Sequence, residues 1–181
     1  MKRWLEERRG QIWVETVVYT LIGITIIGLV LAAIKPKIDE KKDEIAIGQA
    51  IEALNDIDSK IYAVQVATGN KRAIELKVGK GEMILNVEED YISWEMESSF
   101  EYSQEGIDVS LGKMNVTTTS LGSDLWKVRL FLDYSTIDLK YENNNQPPEH
   151  KFGSVAVPYK IIVENRGPNN NQETIIDITD V

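Results

Sequence analysis

The sequence predicts an α+β fold: a long N-terminal helix, transmembrane at first and then a stalk, followed by an antiparallel β-sandwich head. Three observations carry this reading. No charged side chain occurs between Thr16 and Ile34. Apolar residues then recur at threes and fours as far as Val64, the mark of a one-faced helix. From Lys71 the spacing changes to alternation by two, the mark of strands.

The apolar block comes first. A helix over residues 14–34 would be roughly 30 Å long, about the thickness of a bilayer core. Ordinary secretory signals have shorter apolar regions, about 7–15 residues, with a small-residue cut site behind them. Here Leu31-Ala32-Ala33 is a poor cut site and Lys35-Pro36 follows at once. A basic leader stays in the cytoplasm, so the large downstream domain is expected outside, behind a single membrane pass. Glu15 is the anomaly. An ionised acid costs roughly 2.5–3.5 kcal/mol at the centre of a bilayer, and even at its edge asks for a partner. Gly23 and Gly28 are five apart, not the four of a tight helix-pairing motif. Pro36 is expected to kink the helix or mark its exit from the membrane, with Lys35 and Lys37 at headgroup level.

The start of the chain, Arg8-Arg9-Gly10-Gln11-Ile12-Trp13-Val14-Glu15, resembles the precursor of an archaeal type IV pilin with a class III signal peptide. The shared features are a short basic leader ending in Arg-Gly, a Gln after it, a Glu five positions past the Gly, and a long apolar helix. The resemblance implies that a membrane-embedded prepilin peptidase cuts between Gly10 and Gln11. It further implies that Glu15, then the fifth residue, pairs with the new amine at Gln11 of a neighbouring subunit during assembly by the pilus machinery. Trp13 stands where many relatives carry a small Ser. Related archaellins usually begin with a Gly-rich segment lacking acids, so Gln11 and Glu15 favour a pilin.

The expected organisation is therefore a leader at 1–10, a transmembrane and assembly helix at 11–36, an amphipathic helical stalk at 37–70, and the head at 71–181. In the stalk, Ile47, Ala50, Ile51, Leu54, Ile57, Ile61 and Val64 form one stripe, and Gly69 suits a helix C-cap. Two surfaces could take that stripe: the chain's own sheets, or neighbouring helices in a fibre.

In the head, alternation is readable around Ile74–Val78, Met83–Val87, Ile92–Met96, Ile107–Leu111, Trp126–Tyr134, Ile137–Tyr141, Val155–Val163 and Ile176–Ile178. Eight or nine short strands with a turn about every ten residues read as an Ig-like or pilin-type sandwich. Asn143–His150, with Pro147 and Pro148, and Arg166–Asn171 read as exposed loop tips.

Composition narrows the chemistry. The net charge is −9, and becomes about −11 without residues 1–10, so a nucleic-acid footprint is not expected. There is no cysteine, which excludes disulfides and thiol chemistry. His150 is the only histidine and lies in a polar loop, where a solvated side chain is expected. Glu88-Glu89-Asp90 lacks the spacing of a calcium loop and reads as a charged turn. No phosphate loop, dinucleotide fingerprint or nucleophile motif occurs, so neither an enzyme nor a cofactor is expected. Asn115-Val116-Thr117 is the one N-glycosylation sequon, which makes Asn115 a candidate glycan site. Two functions follow as expectations: a self-assembling subunit of a surface filament, or a single-pass anchored binding protein that does not polymerise.

Overall fold

A computed structural model describes residues 3–181, with side chains described from Trp13 onward. The processing site at Gly10 and Gln11 lies outside the residues whose side chains are described. Two compact units divide the chain, Met1–Glu40 and Lys41–Val181. One helix, α1 (Arg3–Gln65), contains all of the predicted apolar block and most of the predicted stalk. It continues through Pro36, whose missing N–H leaves the carbonyl of Ala32 without its usual helical donor.

The second unit takes in the last part of α1 and two sheets. The four-stranded sheet has the order β1 (Lys71–Leu76), β9 (Tyr159–Pro168), β10 (Thr174–Asp180), β7 (Asp138–Tyr141). The six-stranded sheet has the order β4 (Val109–Leu111), β5 (Met114–Gly122), β6 (Leu125–Asp133), β3 (Tyr91–Ser98), β2 (Glu82–Asn86), β8 (Glu149–Gly153). Every pairing is antiparallel except β7 with β10. The alternation that predicted strands places Ile92, Trp94, Met96, Val128, Leu130 and Leu132 on the buried face of the larger sheet. Ile74, Leu76, Ile161, Val163, Ile176 and Ile178 do the same for the smaller one.

The stalk stripe belongs to this core. Ile47, Ala50, Leu54, Ile57, Ile61 and Val64 are all at most 3% exposed and join one apolar cluster with both sheets. Of the two surfaces open to the stripe, the chain's own sheets therefore take it. Each large aliphatic side chain so buried contributes about 1.5–3 kcal/mol.

Three polar fastenings fix the helix against the sheets. Asp43, 8% exposed, accepts the Lys80 ammonium on one oxygen. On the other it accepts the Ser99 N–H at 2.7 Å and the Ser99 hydroxyl at 2.8 Å. Burial acts to raise the pKa of Asp43, but the bonds from Lys80 and Ser99 outweigh it and hold the pKa below the ordinary carboxylate value. Further along, the Tyr134 hydroxyl donates to Asp58 at 3.0 Å. Burial and the Asp58 carboxylate keep that phenol protonated far above its ordinary range.

At the helix end, Asn165 is 2% exposed and donates its amide to the Val64 carbonyl at 3.0 Å. Its own oxygen accepts the Gly167 N–H at 2.8 Å. The last turn of α1 thus has one of its orphan carbonyls satisfied from β9. Gly69 follows at φ +85°, and its N–H bonds to the Asn165 carbonyl at 2.7 Å.

Some strand boundaries differ from the sequence reading. Among the described residues ten strands form, not eight or nine. Pro158 has no N–H to give, and β9 begins after it, leaving Val155 and Val157 exposed. Arg166–Pro168, expected in a loop tip, lie in β9. A register shift between Ile175 and Ile176 leaves Arg166 without a partner on β10. Its guanidinium reaches the fully buried Asp177 at 2.9 Å. The remaining tip, residues 169–173, is held by Asn169, whose side-chain oxygen accepts the N–H groups of Asn171 and Glu173.

Candidate functional site

The apolar part of α1 is the first candidate. Its most apolar 18-residue window has a mean hydropathy of 2.6 and no buried residue. The large apolar side chains between Trp13 and Ile34 are exposed by 38% (Val17) to 72% (Tyr19). That belt is long and apolar enough to cross a membrane. Two hydroxyls within it are satisfied internally. Thr20 and Thr25 each donate to the carbonyl four residues back, at 2.8 Å. Hence these two side chains bring no unpaired donor into apolar surroundings.

Glu15 stands at the N-terminal border of the belt and is exposed. Helical spacing puts it on one face with Val18, Tyr19 and Ile22. Among the described residues no ion pair includes it. At the other border, charge returns as helical pairs: Lys37 with Glu40 at 2.7 Å and Lys41 with Glu44 at 2.5 Å. Chemically, such a segment can take apolar surroundings along its length and a cation opposite Glu15.

Asn115 is exposed on β5, one strand in from the edge of the larger sheet. Its side-chain oxygen accepts the Ser110 hydroxyl at 2.9 Å, while the Thr117 hydroxyl of the same sequon donates to Asp108 at 2.5 Å. The register places Asn115 in a row that crosses all six strands: Ser110, Asn115, Phe131, Ser93, Ile84, Lys151. This is the outer face of the sheet, the side away from the core. Phe131 and the neighbouring Tyr91 have ring centroids 5.1 Å apart. The Arg129 guanidinium lies 5.2 Å and 5.7 Å from the two rings and 3.4 Å from Glu95. This cluster leaves little trace in the sequence. Its one signal was Phe131, an aromatic among the outward-facing charges Lys127, Arg129 and Asp133 of β6.

His150 departs from expectation. It sits at the start of edge strand β8, not in solvent, and stacks on Tyr141 with centroids 3.7 Å apart. Burial lowers its pKa below the ordinary imidazole value. Backbone pairing to β2, which needs no apolar side chain, draws Glu149 and His150 out of the predicted loop.

Glu88 and Glu89 lie in the β2–β3 turn, where both N–H groups bond to the Asn86 side chain. A concavity of about 370 Å³ next to it is lined by Asp90, Asp138, Asn169 and Glu173, among others. Burial, and after it the Asp138, Glu173 and Asp133 carboxylates, raise the pKa of Asp90 against the opposing bond from the Leu139 N–H. Among the described residues no three His, Cys, Asp or Glu side chains are grouped to hold a metal. The chain matches no protein-family model, and comparison with curated proteins and with solved structures gives no match.

Proposed function

We propose that this chain is a structural subunit of an archaeal type IV pilus-like surface filament. It is inserted in the membrane as a precursor, cut by a prepilin peptidase after Gly10, and assembled through its N-terminal helix. The observation that carries the reading is the uncovered apolar belt of α1 with a single acid, Glu15, at its head. In the membrane, lipid covers the belt. In a filament, the belts of sister subunits replace lipid, which keeps the apolar surface dry throughout. Glu15 sets the register, because only one axial offset brings it to the Gln11 amine of a neighbour. Any other offset leaves a carboxylate unpaired in a low dielectric, and removing one partner of a buried pair costs about 3–5 kcal/mol. The head is then displayed on the outside, and Asn115, exposed on its surface, carries an N-linked glycan.

The second reading is a single-pass anchored β-sandwich that binds or adheres without polymerising. It is favoured by a head whose stripe and sheets close one core within a single chain. Glu15→Gln separates the two. In the filament reading, cells carrying it keep the protein in the membrane at normal levels and lose filaments. Normal filaments from Glu15→Gln cells remove the role given to Glu15. Absence of filaments from unmutated cells that make the protein leaves the anchored reading.

A further inference from the structure

We infer that the glycan on Asn115 lies across the outer face of the six-stranded sheet, its first sugars stacked on the rings of Phe131 and Tyr91. This rests on the proposed modification of Asn115 and specifies what the sugar touches. A pyranose has apolar C–H faces and a polar rim, so it needs an aromatic surface bordered by hydrogen-bonding groups. The row through Asn115 supplies that order. Phe131 is its direct partner on β6, and Ser93, fully buried, follows on β3. Directly opposed side chains on antiparallel strands start about 4.5–5.5 Å apart, so the first sugar on Asn115 begins beside the Phe131 ring.

Successive strands are about 4.8 Å apart, which carries a second sugar over β3, where Tyr91 stands. Phe131 and Tyr91 are both partly exposed on this face. Polar groups stand around the rings. Arg129, ion-paired with Glu95, packs its guanidinium against both rings, and Ser110 and Lys151 stand at the two edges of the row. Among the buried polar atoms on this face, Ser93 Oγ has no hydrogen-bond partner, while Arg129 Nε is ion-paired with Glu95 at 3.4 Å. The exposed Asn115 side chain, held on one side by Ser110, is the attachment point at the near end.

The test begins with the full chain purified from its native cells. Mass spectrometry of the peptide containing Asn115 is expected to find a sugar adduct; an unmodified Asn115 overturns the modification and this inference together. With the adduct present, thermal unfolding in detergent is compared for the unmutated chain, Asn115→Gln, Phe131→Leu and the double variant. Leu keeps an apolar side chain and removes the ring. Asn115→Gln should lower the midpoint by about 2–4 °C when Phe131 is present. In the Phe131→Leu background it should lower it by less than half as much. Equal losses in both backgrounds overturn the stacking while leaving the modification intact. Should Phe131→Leu fail to fold, the sugar protons of the unmutated glycoprotein decide. Their resonances should be displaced upfield from those of the free glycopeptide by the ring currents, and coincident resonances refute the contact.

Discussion

Removing the side chain of Asn165 should destabilise the head more than any substitution of an exposed polar residue. The side chain makes two bonds in a site that is 2% exposed: it donates to the Val64 carbonyl at 3.0 Å and accepts the Gly167 N–H at 2.8 Å. Asn165→Ala leaves one carbonyl and one N–H without partners. An unsatisfied buried group costs about 1–3 kcal/mol. Both bonds are buried, and the carbonyl, an acceptor with two lone pairs, falls at the low end. The N–H of Gly167 is buried and has no such relief. The sum is about 2–4 kcal/mol, or a fall in midpoint of about 5–15 °C for a chain of this size. Circular dichroism of the full chain in detergent, followed through the thermal transition of the sheets, measures it. Asn171→Ala, on the exposed tip, serves as the control and should change stability by less than about 0.5 kcal/mol. Asn165→Asp keeps the acceptor but sets a carboxylate against the Val64 carbonyl, and should cost at least as much as Ala at neutral pH. A fall of less than about 2 °C for Asn165→Ala would refute the idea that this amide fastens α1 to β9.

Three further outcomes are expected. Gly81 is at φ +77°, and a Cβ there would lie 2.2 Å from the Glu95 carbonyl oxygen. Gly81→Ala should therefore cost about 3 kcal/mol or more by urea denaturation, whereas Gly122→Ala, strained at φ +93° but facing open space, should cost about 1 kcal/mol. Asp90→Asn should raise stability at neutral pH. Asn tolerates the φ of +53° and keeps the acceptor for Leu139, while losing the charge that burial and three neighbouring acids disfavour. Because the folded pKa of Asp90 is raised, the gain should shrink as pH falls through it and vanish below the unfolded value; a neutral-pH loss would contradict this. Asp43 has the opposite sign. Its folded pKa is depressed, so its stabilisation is complete above the unfolded carboxylate pKa and is lost as pH falls through the folded one. The stability lost in Asp43→Ala should accordingly be large at neutral pH and small in acid, and an unchanged difference across that range would count against the Lys80 and Ser99 contacts.

Local patterns were legible in the sequence, and long-range partnerships were not. The stripe from Ile47 to Val64 could be read because helical periodicity is set by the chain's own geometry. What covers it could not, because an apolar face fits a sheet or a sister helix equally well. β8 was hidden behind Pro147 and Pro148. It has one large buried apolar side chain, Phe152, and is recruited by backbone bonds to β2. The parallel pairing of β7 with β10 joins residues far apart in the sequence and leaves no local trace. The extension of β9 to Pro168 depends on Asp177, a distant buried acid that holds the displaced Arg166.

The functional residues divide in the same way. Glu15 and Asn115 belong to short contiguous motifs and were found. The shelf beside Asn115 is assembled from β3 and β6 and exists only once their register is set. Asp43 and Asn165 looked like ordinary polar residues of a helix and a strand, since burial and bonding partners come from elsewhere in the fold.

The N-terminus of the protein recovered from its native membranes tests the central claim most directly. Cleavage after Gly10 is what would create the amine that Glu15 is proposed to meet. Intact-mass analysis with N-terminal peptide sequencing should find a chain that begins at Gln11. A chain that begins at Met1 would contradict the account, leaving an anchored sandwich with no assembly step.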